Sequence, residues 1–248
     1  MAVKAMRLVP IYWGEWWVPA KQNAYNWAEV NGQMQTVLVG RYMDGLNQYG
    51  IGQGSVERTY VHQIDPPAQG FTDYNTGWLF KMSIDDGHVP EPDDFDLTTD
   101  QPFYCLIVKP GIEHLRDPDL APETKLCGYH FPFSYDYGDD RGTWNGQACW
   151  IKASADLAGT VRCWAHEMAE AYSTGAGEIA DKCEGEKPVI VDGVSVPQYW
   201  SNADNGCWPP SDLMEKVGRK PSKDEATRAG TPVADPKMTS VERGRLHR

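Results

Sequence analysis

Apolar and polar positions in the N-terminal half of the chain follow patterns that predict strands and helices in turn. Residues 7–13 form an apolar run that predicts a first core strand. From about residue 22 to residue 49, apolar side chains recur at helical spacing, and Gly32 and Gly40 are expected to divide this stretch into two helices. Alternation over residues 55–64 predicts a further strand.

Three more strands are predicted in the middle of the chain. Residues 102–108 are a continuous apolar run, which is typical of the centre of a sheet, and shorter strands are predicted at 127–133 and 149–152. Residues 85–100 hold seven Asp or Glu and indicate a solvated acidic loop. Such a loop also offers the oxygen ligands that calcium prefers, but its spacing matches no EF-hand.

A helix is predicted from residue 154 to about residue 172. Ser154 is the expected N-cap, with Asp156 in the first turn. One face of this helix is apolar, formed by Leu157, Val161, Trp164 and Met168, and Gly175 and Gly177 are expected to end it.

The C-terminal part contains a β-hairpin signal and a change in composition. Two β-branched runs in residues 188–196 flank Asp192-Gly193, the preferred pair for a tight type I′ turn. The elements together predict an α/β or α+β fold, a mixed sheet packed on helices with a C-terminal hairpin. We expect one domain over residues 1–215 and a flexible basic tail over residues 216–248.

Charge excludes some partners. The tail holds nine basic and four acidic residues, whereas the remainder holds 14 basic and 31 acidic residues and carries a net charge of −17. Such a surface argues against nucleic acid or an anionic membrane as a partner of the folded part. No run approaches the roughly 20 apolar residues of a membrane helix, so no membrane span is expected.

The six cysteines form an even set without a Cys-x-x-Cys pair, which favours disulfides over a zinc–thiolate cluster. Fifteen complete pairings are open, and reduced buried cysteines are the alternative. Disulfides indicate a secreted or cell-surface protein. No signal peptide is evident near the N-terminus, which leaves a cytoplasmic location open.

The chemistry of the chain centres on His166, Glu167 and Glu170. His166 and Glu170 are four residues apart, so on a helix they lie on one face and can share a metal ion. Glu167 is placed like the general base of His-Glu-x-x-His metallopeptidases, although here the second histidine is a glutamate. Asp181 and then Glu178 are the next candidate ligands, because they follow the glycines beyond the helix.

A simpler interpretation is an amphipathic surface helix. In that case Glu167 and Glu170 lie in solvent, and His166 forms a hydrogen bond at the edge of the core.

Six segments in a fixed order resemble the EXORDIUM or phosphate-induced protein family and its microbial relatives, over roughly residues 8–208. The segments are Tyr12-Trp-Gly14, Tyr42-Met-Asp-Gly-Leu-Asn-Gln-Tyr-Gly50, Cys127-Gly-Tyr-His130, His166-Glu-Met-Ala-Glu-Ala171, Gly177-Glu-Ile-Ala-Asp-Lys-Cys183, and Tyr199-Trp-Ser-Asn202 with Asn205-Gly-Cys207. The resemblance implies a secreted or cell-wall protein with a zincin-like metal centre on His166, Glu167, Glu170 and Asp181, and a bridge between Cys183 and Cys207. His130 belongs to the same pattern, and its imidazole is a further candidate to ligate the metal or polarise a bound carbonyl.

Two functions follow as expectations. The first is a zinc-dependent, metallopeptidase-like hydrolase, with metal-activated water and Glu167 as the general base. The second is a non-catalytic extracellular or cell-surface protein, with a structural metal site and an aromatic-rich surface that binds carbohydrate or protein. Zinc is the expected metal and calcium the alternative, and a peptide, protein or carbohydrate is the expected ligand. A domain without metal is the third possibility.

Overall fold

A mixed sheet of six strands forms the centre of the protein. The computed structural model describes residues 3–18, 23–115, 126–173, 178–183 and 185–209. The strands are β1 (Lys4–Trp13), β2 (Ile51–Val56), β3 (Tyr60–His62), β4 (Asp100–Val108), β5 (Gly128–Asp136) and β6 (Thr143–Lys152). They lie in the order β2-β1-β4-β6-β5, and β3 also pairs with β1. β5 runs antiparallel to β6, and the other pairings are parallel.

Helices cover both faces of this sheet, which confirms the predicted mixed α/β fold. α1 (Trp27–Val39) and α3 (Leu157–Tyr172) share a core with one face, and α2 (Asp73–Asp85) shares a core with the other. The strand predicted at 102–108 is confirmed as β4, which is buried on both faces. The 3₁₀ helices span Glu15–Trp17, Arg41–Tyr49, Pro92–Asp94 and Asp181–Cys183. Within the described ranges, no helix has the length and apolar character that crossing a membrane requires.

The stretch predicted as two helices is one α-helix followed by the 3₁₀ helix Arg41–Tyr49. α1 starts with a capping box, in which the side chain of Asn26 accepts from the backbone N–H of Glu29 and the Glu29 carboxylate accepts from that of Asn26. The expected break at Gly32 is wrong, because one glycine costs a helix only about 1 kcal/mol. The break at Gly40 is confirmed, since this residue ends α1.

Two other N-terminal elements differ from the prediction. Residues 55–64 contribute to two short strands, because β2 and β3 pair with successive parts of the longer β1. α2 is absent from the predicted elements, although Thr72 and Asn75 form its capping box. Its exposed face carries Tyr74 and Trp78, and these aromatic residues obscure the polar half of the helical pattern.

α3 confirms the predicted helix with a shift at its start. Asp156, rather than Ser154, is the N-cap, because Asp156 is the last extended residue and its carboxylate accepts from the backbone N–H of Gly159 at 2.6 Å. Ser154 lies two residues before the helix, and its own N–H donates to Thr160 Oγ1. The helix ends at Tyr172, and the predicted stop at residues 175 and 177 lies outside the described residues.

The C-terminal part forms two small hairpins that pack back onto the first half of the chain. They are β7 (Val189–Val191) with β8 (Val194–Val196), and β9 (Tyr199–Ser201) with β10 (Gly206–Trp208). The first is the predicted hairpin, with Asp192 at φ 51° and Gly193 at φ 87° in its turn. The Asp192 carboxylate accepts from the side chain and backbone N–H of Arg41, and Tyr199 Oη donates to the carbonyl of Tyr42.

Four of the cysteines lie in two disulfides. Cys127 pairs with Cys163, and Cys183 pairs with Cys207. Cys105 and Cys149 are free thiols, which are buried at facing positions of β4 and β6. The predicted tail, residues 216–248, lies outside the described residues.

The acidic segment of residues 85–100 has a cation of its own. The guanidinium of Arg141 contacts Glu91 at 3.1 Å and Asp93 at 3.0 Å. Among the described residues, the groups whose ligand atoms lie close enough to hold a metal do not involve this segment.

Candidate metal centre

The candidate residues lie on a helix that is buried on almost every side. From Thr160 to Ala171, Arg162 and His166 are the part-exposed residues of α3, and the others are buried. Glu167 and Glu170 are 5% and 6% exposed. The amphipathic surface helix with both carboxylates in solvent is therefore wrong. The sheet covers one side of α3, and α1 and β8 cover others.

One group of potential ligands joins the helix to the segment beyond it. His166 Nε2 lies 3.3 Å from Glu170 Oε2 and 3.3 Å from Asp181 Oδ1. Atoms bound about 2.0–2.1 Å from a tetrahedral zinc ion are separated by about 3.3 Å, so both spacings are compatible with a shared zinc ion. The backbone N–H of Asp181 also donates to Glu170 Oε1 at 3.1 Å, which fixes the following segment against α3.

A second group brings in His130 from the neighbouring strand. His130 faces Cys149 in the register of β5 and β6, and this places its side chain on the face that α3 covers. Its Nδ1 lies 3.3 Å from Glu167 Oε2 and 3.7 Å from Glu170 Oε2. Its Nε2 lies 3.9 Å from Glu178 Oε2. The predicted ligands and the predicted base therefore come together, and Glu170 belongs to both groups.

The carboxylates change the proton affinity of both imidazoles. Burial acts to lower the pKa of His166, but its hydrogen bond to Glu170 and the nearby carboxylate charges outweigh burial and raise the pKa to about 9. Burial also acts to lower the pKa of His130, but the hydrogen bond and the charge of Glu167 outweigh burial and raise the pKa. Without a metal, the proton on His166 thus supplies positive charge that the carboxylates attract, and a bound metal would displace it.

The carboxyl groups of Glu170 and Glu178 shift in opposite directions. Burial acts to raise the pKa of Glu170, but the hydrogen bond and charge of His166 outweigh it and lower the pKa. Burial raises the pKa of Glu178, and a hydrogen bond to Glu170 adds to the rise. Glu170 is thereby kept as the carboxylate that a metal would need.

A disulfide and a glycine bring β5 close to α3. Cys127 precedes β5, and its partner Cys163 lies one helical turn before Glu167. At Gly128, a Cβ atom would lie 2.8 Å from Glu167 Cγ and 2.9 Å from the carbonyl oxygen of Trp150, so a larger residue would push the strand away. The sequence pattern predicts neither the disulfide of Cys127 nor the close approach at Gly128, although both residues lie in the Cys-Gly-Tyr-His segment.

The centre is open on one side. The side chains of Asp181 and Glu178 are 54% and 59% exposed, and that of His166 is 28% exposed. Water and a ligand therefore have access to the face of the centre that Asp181 and Glu178 border.

The fold and the site define a mixed α/β protein with clustered imidazole and carboxylate groups that can hold a metal ion. Comparison with protein-family models, with curated proteins and with solved structures finds no match. The resemblance to the EXORDIUM family therefore stays a prediction.

Proposed function

We propose that the protein is a zinc-dependent hydrolase of the metallopeptidase type. His166, Glu170 and Asp181 are the proposed ligands, and Glu167 is the proposed general base. The observation that carries this proposal is the 3.3 Å spacing from His166 Nε2 to both Glu170 and Asp181, beside a second buried carboxylate. The shared segments support kinship with the EXORDIUM family, and with it a zincin-like centre.

The donor set favours zinc over calcium. Imidazole nitrogen suits zinc, whereas calcium takes six to eight oxygen ligands. His130 brings a second imidazole to the centre, and the exposed side of the centre leaves room for the water that a catalytic site needs. Glu178 contacts His130 rather than His166, which makes Asp181 the better third ligand.

The roles of the side chains follow from their positions. Zinc bound here would act as a Lewis acid towards water and the carbonyl of the substrate. Glu167 accepts the proton of the attacking water and returns it to the amine that leaves. His130 holds the Glu167 carboxylate through the contact at 3.3 Å, and its second nitrogen remains near the open side.

Export fits this proposal. Two disulfides are typical of proteins that function in an oxidising compartment, so we place the protein outside the cell or on its surface.

A second candidate is a non-catalytic binding protein that uses the metal to stabilise its fold. Tyr74 and Trp78 support it, because they are one turn apart on α2 and 80% and 47% exposed. Aromatic residues placed in this way suit the binding of a sugar ring or of an apolar side chain of a partner protein.

Glu167→Gln separates the two candidates, because it keeps the size of the side chain but removes the proton acceptor. We expect the variant to fold and to retain zinc by elemental analysis, while hydrolysis of a peptide library falls by about 10²–10⁴-fold. Glu186→Gln is the matched control, since Glu186 is an exposed carboxylate that belongs to none of the candidate ligand groups. His166→Ala is expected to release the zinc.

The hydrolase is contradicted if the wild type holds zinc but cleaves no member of the library. The binding protein then remains. If the wild type holds neither zinc nor calcium, both candidates fail.

A further inference from the structure

A groove of about 480 Å³ runs along α3 to the candidate metal centre. Its wall includes the disulfide Cys127–Cys163, with Lys152 and Arg162 on the approach and His166 at the end near the centre. We refer to it as the Arg162 groove.

The charge of this groove is opposite to that of the chain around it. The residues that line the Arg162 groove include the cations Lys152 and Arg162 and no Asp or Glu. Residues 1–215 as a whole carry 31 acidic and 14 basic side chains. A local positive field within an acidic molecule attracts and orients anionic groups.

Arg162 is the cation best placed to bind such a group. Lys152 Nζ lies 2.6 Å from Glu113, which offsets its charge. Arg162 Nη1 instead donates to the hydroxyl of Ser195 on β8 at 3.2 Å, and among the described carboxylates none lies within 4 Å of its guanidinium. The uncharged partner holds the side chain in place and leaves its charge available to a ligand.

Arg162 and His166 have the spacing of one helical turn, about 6 Å along the axis of α3. An extended peptide advances about 3.3–3.6 Å per residue. A peptide in the Arg162 groove can therefore present an anionic group to Arg162 when its reacting carbonyl, one or two residues away, lies at the metal centre.

We infer that Arg162 binds a carboxylate of the substrate, which makes the preferred ligand a peptide that is anionic near the bond to be cleaved. This inference rests on the proposed function for the position of that bond, but the binding of the carboxylate does not require hydrolysis. The carboxylate has two possible sources, the C-terminus of a peptide and the side chain of Asp or Glu.

Calorimetry with short acetylated peptides tests the inference on the full chain. One pair of probes compares acetyl-triglycine with its C-terminal amide, and a second compares acetyl-Gly-Asp-Gly-amide with the Asn peptide. At least one carboxylate probe should bind about 10- to 100-fold tighter than its neutral match, the range expected for a charged hydrogen bond. The pair that shows the preference identifies the source.

Arg162→Gln should abolish this preference without changing the zinc content, whereas Arg58→Gln, at an exposed arginine, should leave it intact. Arg162→Lys keeps the charge but loses the planar fork, so it should retain part of the preference. If the glutamine variant does not fold, the partial loss of the preference that is expected for Arg162→Lys serves as the test.

The outcomes separate this inference from the proposed function. A preference that Arg162→Gln abolishes supports the inference even if the protein contains no zinc and cleaves nothing. Equal binding of the paired probes, or no binding at about 10 mM, overturns it even in an active zinc hydrolase. A preference that survives Arg162→Gln but disappears when zinc is removed also overturns it, because the metal then binds the carboxylate directly.

Discussion

Two histidines show how their surroundings set the charge of one residue type. His166 lies among carboxylates, and its pKa is raised to about 9. His62 is 8% exposed, and burial together with the charge of His88 lowers its pKa to about 4. The first is protonated at neutral pH when no metal is bound, and the second is neutral.

His62 makes the protein less stable in acid. Its folded pKa of about 4 lies below the unfolded value of about 6.5, so the unfolded chain binds the proton first as the pH falls. The contribution of His62 to the unfolding free energy is fully present above the unfolded pKa, and it is lost as the pH falls from there towards pH 4. We expect urea titrations of His62→Gln to show an acid-induced loss of unfolding free energy that is smaller by about 2 kcal/mol between about pH 7.5 and about pH 5. An equal loss in both proteins would mean that folding does not lower the pKa of His62.

The site was predictable where helix geometry is local. His166 and Glu170 are four residues apart, and any helix brings them together. The contact between His130 and Glu167 instead depends on the pairing of β5 with β6 and on how closely β5 approaches α3. That approach requires Gly128, and one sequence does not reveal which glycine is crowded by a distant side chain.

At the scale of elements, the disulfide Cys127–Cys163 is the covalent link between β5 and α3. It closes a loop over a sequence separation of 36 residues and lies next to the carboxylate of Glu167. It therefore affects both the stability of the fold and the geometry of the centre.

Replacing Cys127 and Cys163 together by alanine should lower the unfolding free energy by about 2–4 kcal/mol, because the unfolded chain regains the freedom of the loop. We also expect weaker zinc binding, since β5 then carries His130 less firmly against α3. Urea denaturation and a zinc titration measure the two effects. Mapping of the wild type without reductant should first recover Cys127–Cys163 and Cys183–Cys207. If mapping instead finds other pairings among these four cysteines, the double-alanine variant does not remove a link between β5 and α3, and the prediction fails.

The elements also differ in how clearly the sequence marks them. β4 and the Asp192-Gly193 hairpin have strong local signals, a continuous apolar run and a turn pair that favours positive φ. The apolar pattern does not reveal α2, because its exposed side carries large aromatic residues and hydrophobicity alone does not separate its two faces. The capping residues Thr72 and Asn75 nevertheless mark the start of α2 in the sequence.

At the scale of the whole molecule, acidic and basic residues separate along the chain. Residues 1–215 carry a net charge of −17, and residues 216–248 carry nine basic and four acidic side chains. The second segment contains no aromatic residue and few large aliphatic ones, so it offers little apolar surface to offset the entropy of ordering it.

A chain that ends at residue 215 should keep the melting temperature, zinc content and assembly state of the full chain. Calorimetry, elemental analysis and size-exclusion chromatography compare the two proteins. A lower melting temperature or a changed assembly state would show that residues 216–248 dock on the domain or on a partner, and the predicted boundary at 215 would be wrong.

The hydrogen bonds that join the hairpins to the 3₁₀ helix Arg41–Tyr49 constrain how the chain folds during synthesis. Tyr199 Oη reaches the carbonyl of Tyr42 across 157 residues, and Asp192 reaches Arg41 across 151. At about 5–20 residues per second, a ribosome adds that length in roughly 10–30 s. A nascent chain thus exposes this segment until β8 and β9 emerge, and the first half of the protein reaches its final packing only after these strands have been made.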